Sequence, residues 1–170
     1  MIEIDEHFEV DAPPEVVWQV MSDPRAVVGC VPGAALTAEH EDGTYDGTLT
    51  VKFGPLAVAF TARIALELHA DERRGELTAQ GRDKQGGARF RGTASFTVAD
   101  RPLGDGAAGP AVGSRSLGEG AVGSAVDIHG GVDISGRLAG MIESGATVVV
   151  RRMAAEFAER LAVRCATQVG

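Results

Sequence analysis

Residues 2–21 read IEIDEHFEVDAPPEVVWQVM, and this stretch decides how the rest of the chain is parsed. Ile2, Ile4, Phe8 and Val10 alternate with Glu3, Asp5, His7 and Glu9, the two-residue period of a strand with one apolar and one wet face. Glu6 interrupts the apolar side. Asp11-Ala12-Pro13-Pro14 then ends the strand, because proline cannot donate to a ladder and suits the first turn of a helix. Glu15 to Met21, with Val16, Val17, Trp18 and Val20, reads as a short helix. Ser22-Asp23-Pro24 closes it and opens a second one, which runs toward Cys30 and breaks at Pro32-Gly33.

From that break to about residue 99 the two-residue period dominates. Leu49, Val51 and Phe53 alternate with Thr48, Thr50 and Lys52, and Gly54-Pro55 makes a turn. Leu56, Val58, Phe60, Ala62, Ile64, Leu66 and Leu68 hold the even positions of the next strand. A charged turn over Asp71 to Gly75 leads to a weaker strand through Leu77 and Ala79. After Gly86-Gly87, Phe90, Ala94, Phe96 and Val98 face one way, so Arg89 and Arg91 are expected to point outward. Strands with one apolar and one polar face belong to an antiparallel sheet that is wet on its outer side. Residues 100–122, rich in Gly and Ala, have no period and read as a loop insert. A last strand carries Val126, Ile128, Val132 and Ile134, with a bulge or sharp bend expected at Gly130-Gly131.

The chain ends in a helical pattern. Leu138, Met141, Ile142, Val149, Met153, Phe157 and Leu161 recur at three- and four-residue steps, with Ser135 or a neighbour as the cap. From about Arg137 to Cys165 this helix would be ~40 Å long, enough to cross a whole twisted sheet. Gly140 and Gly145 predict a loose or kinked start. The expected fold is α+β: a single domain over residues 1–170, in which a curved antiparallel sheet wraps a long C-terminal helix, with two short helices after the first strand. One long helix and two short ones do not fill such a sheet, which leaves room for an apolar ligand.

Composition narrows the function. The 170 residues are 44% hydrophobic and carry a net charge of −8, which opposes binding to nucleic acid or to an anionic membrane by charge alone. The two cysteines, Cys30 and Cys165, lie in no metal-ligand or disulfide pattern, so no metal site is expected. The acidic N-terminus has no signal-peptide core, no segment approaches the ~20 apolar residues of a membrane span, and the sequence stops at Gly170 without an apolar tail. A cytoplasmic protein is expected.

In this order of elements, Phe8 to Val10, Ala12-Pro13-Pro14-Glu15-Val16-Val17-Trp18, Ser22-Asp23-Pro24, Cys30-Val31-Pro32-Gly33, Val51-Lys52-Phe53-Gly54-Pro55 and Ser135-Gly136-Arg137-Leu138-Ala139 are similar to one family. The chain resembles the family of the carbon monoxide dehydrogenase G subunit, within the polyketide cyclase/START/Bet v1-like superfamily. The resemblance implies the helix-grip fold, an apolar ligand held between sheet and helix, and an accessory role beside a carbon monoxide dehydrogenase-type molybdenum hydroxylase. It also implies recruitment to the inner face of the membrane, here at most peripheral and indirect.

No catalytic constellation emerges. His7, His69 and His129 fall on polar strand faces, and His40 stands apart. Glu6 is the inward carboxylate, for which access to water at a sheet end is the plainer reading. Cys30 reads as a buried inert thiol and Pro32-Gly33 as a turn between helix and sheet. The glycine-rich stretch from Gly104 to Gly123 lacks the GxxxxGK[ST] pattern of a phosphate loop. Candidate pocket residues are Trp18, Phe53, Phe60, Ala62, Ile64, Phe90, Ala94 and Phe96, with Met141, Val149, Met153 and Phe157 from the helix; plain core is the alternative for the aromatic and methionine side chains among them. Three functions follow: a non-enzymatic accessory protein with a bound quinone or lipid and no covalent cofactor, a cyclase- or dehydratase-like enzyme using the same cavity, or a docking module with a filled core.

Overall fold

The computed structural model describes residues 2–102 and 122–169. β1 (Ile2–Val10) is followed by α1 (Pro14–Met21) and α2 (Pro24–Val28), then by β2 (Ala34–Glu39), β3 (Tyr45–Phe53), β4 (Leu56–His69), β5 (Arg74–Asp83), β6 (Arg89–Pro102) and β7 (Val122–Ser135). The long helix α3 covers Ala139–Val169, 31 residues. All seven strands form one antiparallel sheet in the order β1-β7-β6-β5-β4-β3-β2. This is the helix-grip architecture expected from the alternating strands and the final helical period.

Local chemistry explains the joints. Pro14 opens α1, and the Asp23 carboxylate caps α2 by accepting from the Arg25 backbone N–H at 3.1 Å. Gly33 turns the chain into β2 with φ +82, and its carbonyl accepts from Thr50 N–H at 3.0 Å. The β5–β6 turn is built on Asp83, whose buried carboxylate accepts from the N–H groups of Gln85 (2.6 Å) and Gly87 (2.7 Å). Ser124, fully buried, donates to the Ala12 carbonyl at 2.6 Å and ties the entry of α1 to β7.

Several expectations are corrected. Asp100, Arg101 and Pro102 belong to β6 and pair with Ser124, Gly123 and Val122 of β7, because the ladder continues past the last apolar alternation. The remainder of the expected loop insert, with most of the Gly104 to Gly123 stretch, lies outside the described residues. Gly130 and Gly131 form no bulge: pairing runs unbroken through both on the β1 and the β6 side. The register shift falls instead in β2, between Leu36 and Ala38. Ser135 ends β7 and α3 starts at Ala139, with the Leu138 N–H donating to the Gly87 carbonyl at 2.9 Å. Met141 is 37% exposed, whereas Ile142, one residue or 100° further round the helix, is 1% exposed and takes the inward place.

Candidate functional site

The concave face of the sheet is packed at its two ends. At one end Val10, Val98 and Val126 join Val17 and Val20 of α1 and Phe157, Leu161 and Cys165 of α3. There Phe8 meets Phe157 edge-on (centroids 5.8 Å apart), and Trp18 lies against Phe96 (6.0 Å). At the other end Val58, Phe60, Ala88 and Ile142 pack with Phe53, Phe90, Ile134 and Leu138, and Phe60 stands perpendicular to Phe90 at 5.4 Å. The aromatic residues expected to share one pocket are thus divided: Phe53, Phe60 and Phe90 close one end, while Trp18, Phe96 and Phe157 close the other.

Between the ends the sheet carries small side chains. Ala62 of β4 stands opposite Gly81 of β5, Ala79 of β5 opposite Gly92 of β6, and Ala94 of β6 opposite Gly130 of β7. Two of these glycines are required by close approach. A Cβ on Gly81 would lie 2.0 Å from the Thr61 carbonyl oxygen, and one on Gly130 would lie 2.3 Å from that of Thr93. Strong coiling of the sheet thus excludes side chains where a flat sheet would carry bulky ones. Ile64, Leu66 and Leu77 on the same face belong to neither packed end and stay partly accessible. The backbone of α3 comes close along β1, less so to β3 and β7, and hardly at all to β4, β5 and β6. This central strip of the concave face, with Ala62, Ile64 and Ala94 on the sheet, is the candidate cradle; along α3, Val149 and Met153 lie between Ile142 of one packed end and Phe157 of the other.

Titratable groups are sparse in the cradle. Glu6 faces inward, opposite Ile128, is partly exposed, and makes no hydrogen bond or ion pair among the described residues. Cys30 and Cys165 are buried in the first packed end, and burial raises both thiols, Cys165 to about 11. The histidines sit elsewhere, each beside a carboxylate: His7 with Asp127 (2.7 Å), His129 with Asp5 (3.0 Å), His40 with Asp46 (2.9 Å) and His69 with Glu67 (3.3 Å).

On the outer face one grouping was not legible in the sequence. Ligand atoms of Glu67, His69 and Glu76 lie within 4.8 Å of one another, brought together because Glu67 pairs with Glu76 across β4 and β5. Glu76 is already held by Arg74, which also bonds Glu72 at 3.1 Å, so a guanidinium occupies the place next to the carboxylate. Arg89 and Arg91 point outward, as the alternation with Phe90 requires, and line a groove of about 1060 Å3 on the side opposite the cradle.

With this geometry in view, the sequence matches the family of the carbon monoxide dehydrogenase G subunit (CoxG) over residues 7–107, more than half of the chain. The chain belongs to the CoxG family. The matched span runs from β1 into the segment after β6, so it includes the cradle's floor on β4, β5 and β6. No curated protein sequence matches. Among solved structures the chain is similar to a conserved protein from Geobacillus kaustophilus (TM-score 0.74, 15% identity, 98% of this chain and 96% of that one). It is also similar to the Zhui aromatase/cyclase from Streptomyces sp. R1128 (TM-score 0.61, 15% identity, 99% and 95%). A START superfamily protein from Mycobacterium smegmatis follows at TM-score 0.54 and 17% identity, covering 95% and 97%. At these identities the likeness concerns the fold, and it extends through α3, beyond the CoxG match.

Proposed function

We propose that this CoxG-family chain is a non-enzymatic accessory protein that carries a small apolar ligand, a quinone or a lipid, in its cradle and docks on a carbon monoxide dehydrogenase-type molybdenum hydroxylase. The observation that carries the reading is the run of Ala and Gly across the centre of the concave face, flanked by partly accessible Ile64, Leu66 and Leu77. A folded core usually carries bulky side chains at such positions, and small ones in their place support a ligand there. Family membership supports the partner, and an enzyme working at a membrane needs its apolar electron acceptor delivered to it. No described helix is long and apolar enough to cross a membrane; recruitment to the inner membrane face through the partner or the ligand is part of the proposal.

A cyclase or dehydratase acting in the same cradle would need an acid and a base facing the substrate. Glu6 is an inward carboxylate, and the four histidines are engaged outside the cradle. Solvent extraction of the purified chain followed by mass spectrometry tests the reading. A co-purifying quinone or lipid at near-stoichiometric amount supports it. Extracts free of any apolar molecule, together with no uptake of added quinone, leave the docking module with a filled core as the better account.

A further inference from the structure

We propose that the outer-face groove is a binding site for a soluble phosphate-type oxyanion, a phosphate ester or diphosphate, held by Arg82 and Arg89. The register lays two rows of side chains across this face. One reads Asp46–Arg63–Gln80–Arg91–Asp133, and in it each guanidinium has an acceptor: Arg63 lies 3.3 Å from Asp46, and Arg91 3.5 Å from Gln80. The adjacent row reads Thr48–Thr61–Arg82–Arg89–Ser135. Here two arginines occupy directly paired strand positions, with hydroxyl residues on either side and no carboxylate in the row. Neither arginine makes a hydrogen bond or ion pair among the described residues.

Like charges in directly opposed strand positions destabilise a sheet, and this pair occurs in a chain whose net charge is −8. An anion between them removes the repulsion. Two planar forks present more donors than the two oxygens of a carboxylate take up, whereas a phosphoryl group offers at least three acceptor oxygens, with Thr61 and Ser135 as further donors. A flat anionic membrane fits poorly: Asp46 and Asp133 close both ends of the neighbouring row and would face its phosphates. A discrete anion seats between Arg82 and Arg89 in the adjacent row. The groove and the cradle use opposite faces of the same strands, so this inference stands apart from the ligand proposed for the cradle.

The test is calorimetric titration and thermal unfolding of the full chain with inorganic phosphate and pyrophosphate, against chloride at equal ionic strength. Both anions are expected to bind and to raise Tm, pyrophosphate more strongly. Affinity should fall about tenfold or more in R82Q/R89Q and stay within about threefold in R63Q/R91Q. Without added anion at low salt, R82Q should be at least as stable as the native chain, which separates loss of a site from loss of fold. No binding by the native chain, or equal binding by R82Q/R89Q, overturns the proposal. So does tighter binding to phosphatidylglycerol vesicles than to pyrophosphate, which would make the face a membrane contact.

Discussion

Asp83 brings a carboxylate to a position only 4% exposed because the β5–β6 turn leaves the N–H groups of Gln85 and Gly87 without ladder partners. Asp83→Ala strands both donors and should cost about 1–3 kcal/mol in denaturant unfolding, with Asp83→Asn recovering part of it. The thiols give a second residue-level expectation. With Cys165 raised to about 11 and Cys30 also raised, few thiolates exist at pH 8, and both side chains are buried. A thiol reagent should therefore modify the native chain slowly and both cysteines at once after unfolding; fast labelling of folded protein would contradict the burial. The inert reading of Cys30 followed from its sequence alone, since nothing basic adjoins it. The roles of Asp83 and Ser124 did not, because their partners are backbone groups that only the folded turn and the β7–α1 contact bring within reach.

Strands β1 and β4 were legible because one face is apolar at every second residue, and that period survives in the fold. β2 escaped individual recognition: Ala34–Glu39 is an edge strand, largely exposed and interrupted by a register shift, so its sequence lacks a buried face. The helix was legible in extent but not fully in phase. Val148 and Val163 are each 69% exposed, so apolar residues occur on both of its sides and Met141 could pass for an inward position that Ile142 holds. Phe157 is the firmer anchor, 9% exposed and edge-on to Phe8. Phe157→Asp places an unpaired charge against Phe8 and should destabilise the fold by several kcal/mol, on the order of 3–5. Denaturant unfolding with an unchanged m-value and a midpoint near that of the native chain would refute this packing.

At the scale of the whole molecule, the sheet's coiling and the helix's placement combine to leave the centre of the concave face lined by small residues. Ala62 and Ala94 were identifiable as inward from their alternation. That glycines stand opposite them on one side, Gly81 beside Ala62 and Gly130 beside Ala94, depends on a register that no local pattern encodes. Gly130→Ala should lower stability, because its Cβ meets the Thr93 carbonyl at 2.3 Å. Ala94→Phe should instead leave the fold standing and fill the cradle. Removing about 500 Å2 of apolar ligand surface from water at ~25 cal/mol per Å2 gives about 12 kcal/mol, and a binding cost of about 4 kcal/mol leaves roughly micromolar affinity. The single tryptophan, Trp18, lies beside Phe96 at one end of the cradle and reports on its contents. The decisive measurement is its fluorescence during titration with a long-chain quinone, in the native chain and in Ala94→Phe. Saturable quenching near micromolar quinone, weakened about tenfold or more in the variant, is the predicted result. No saturable quenching, or an identical curve in the folded variant, would contradict the account.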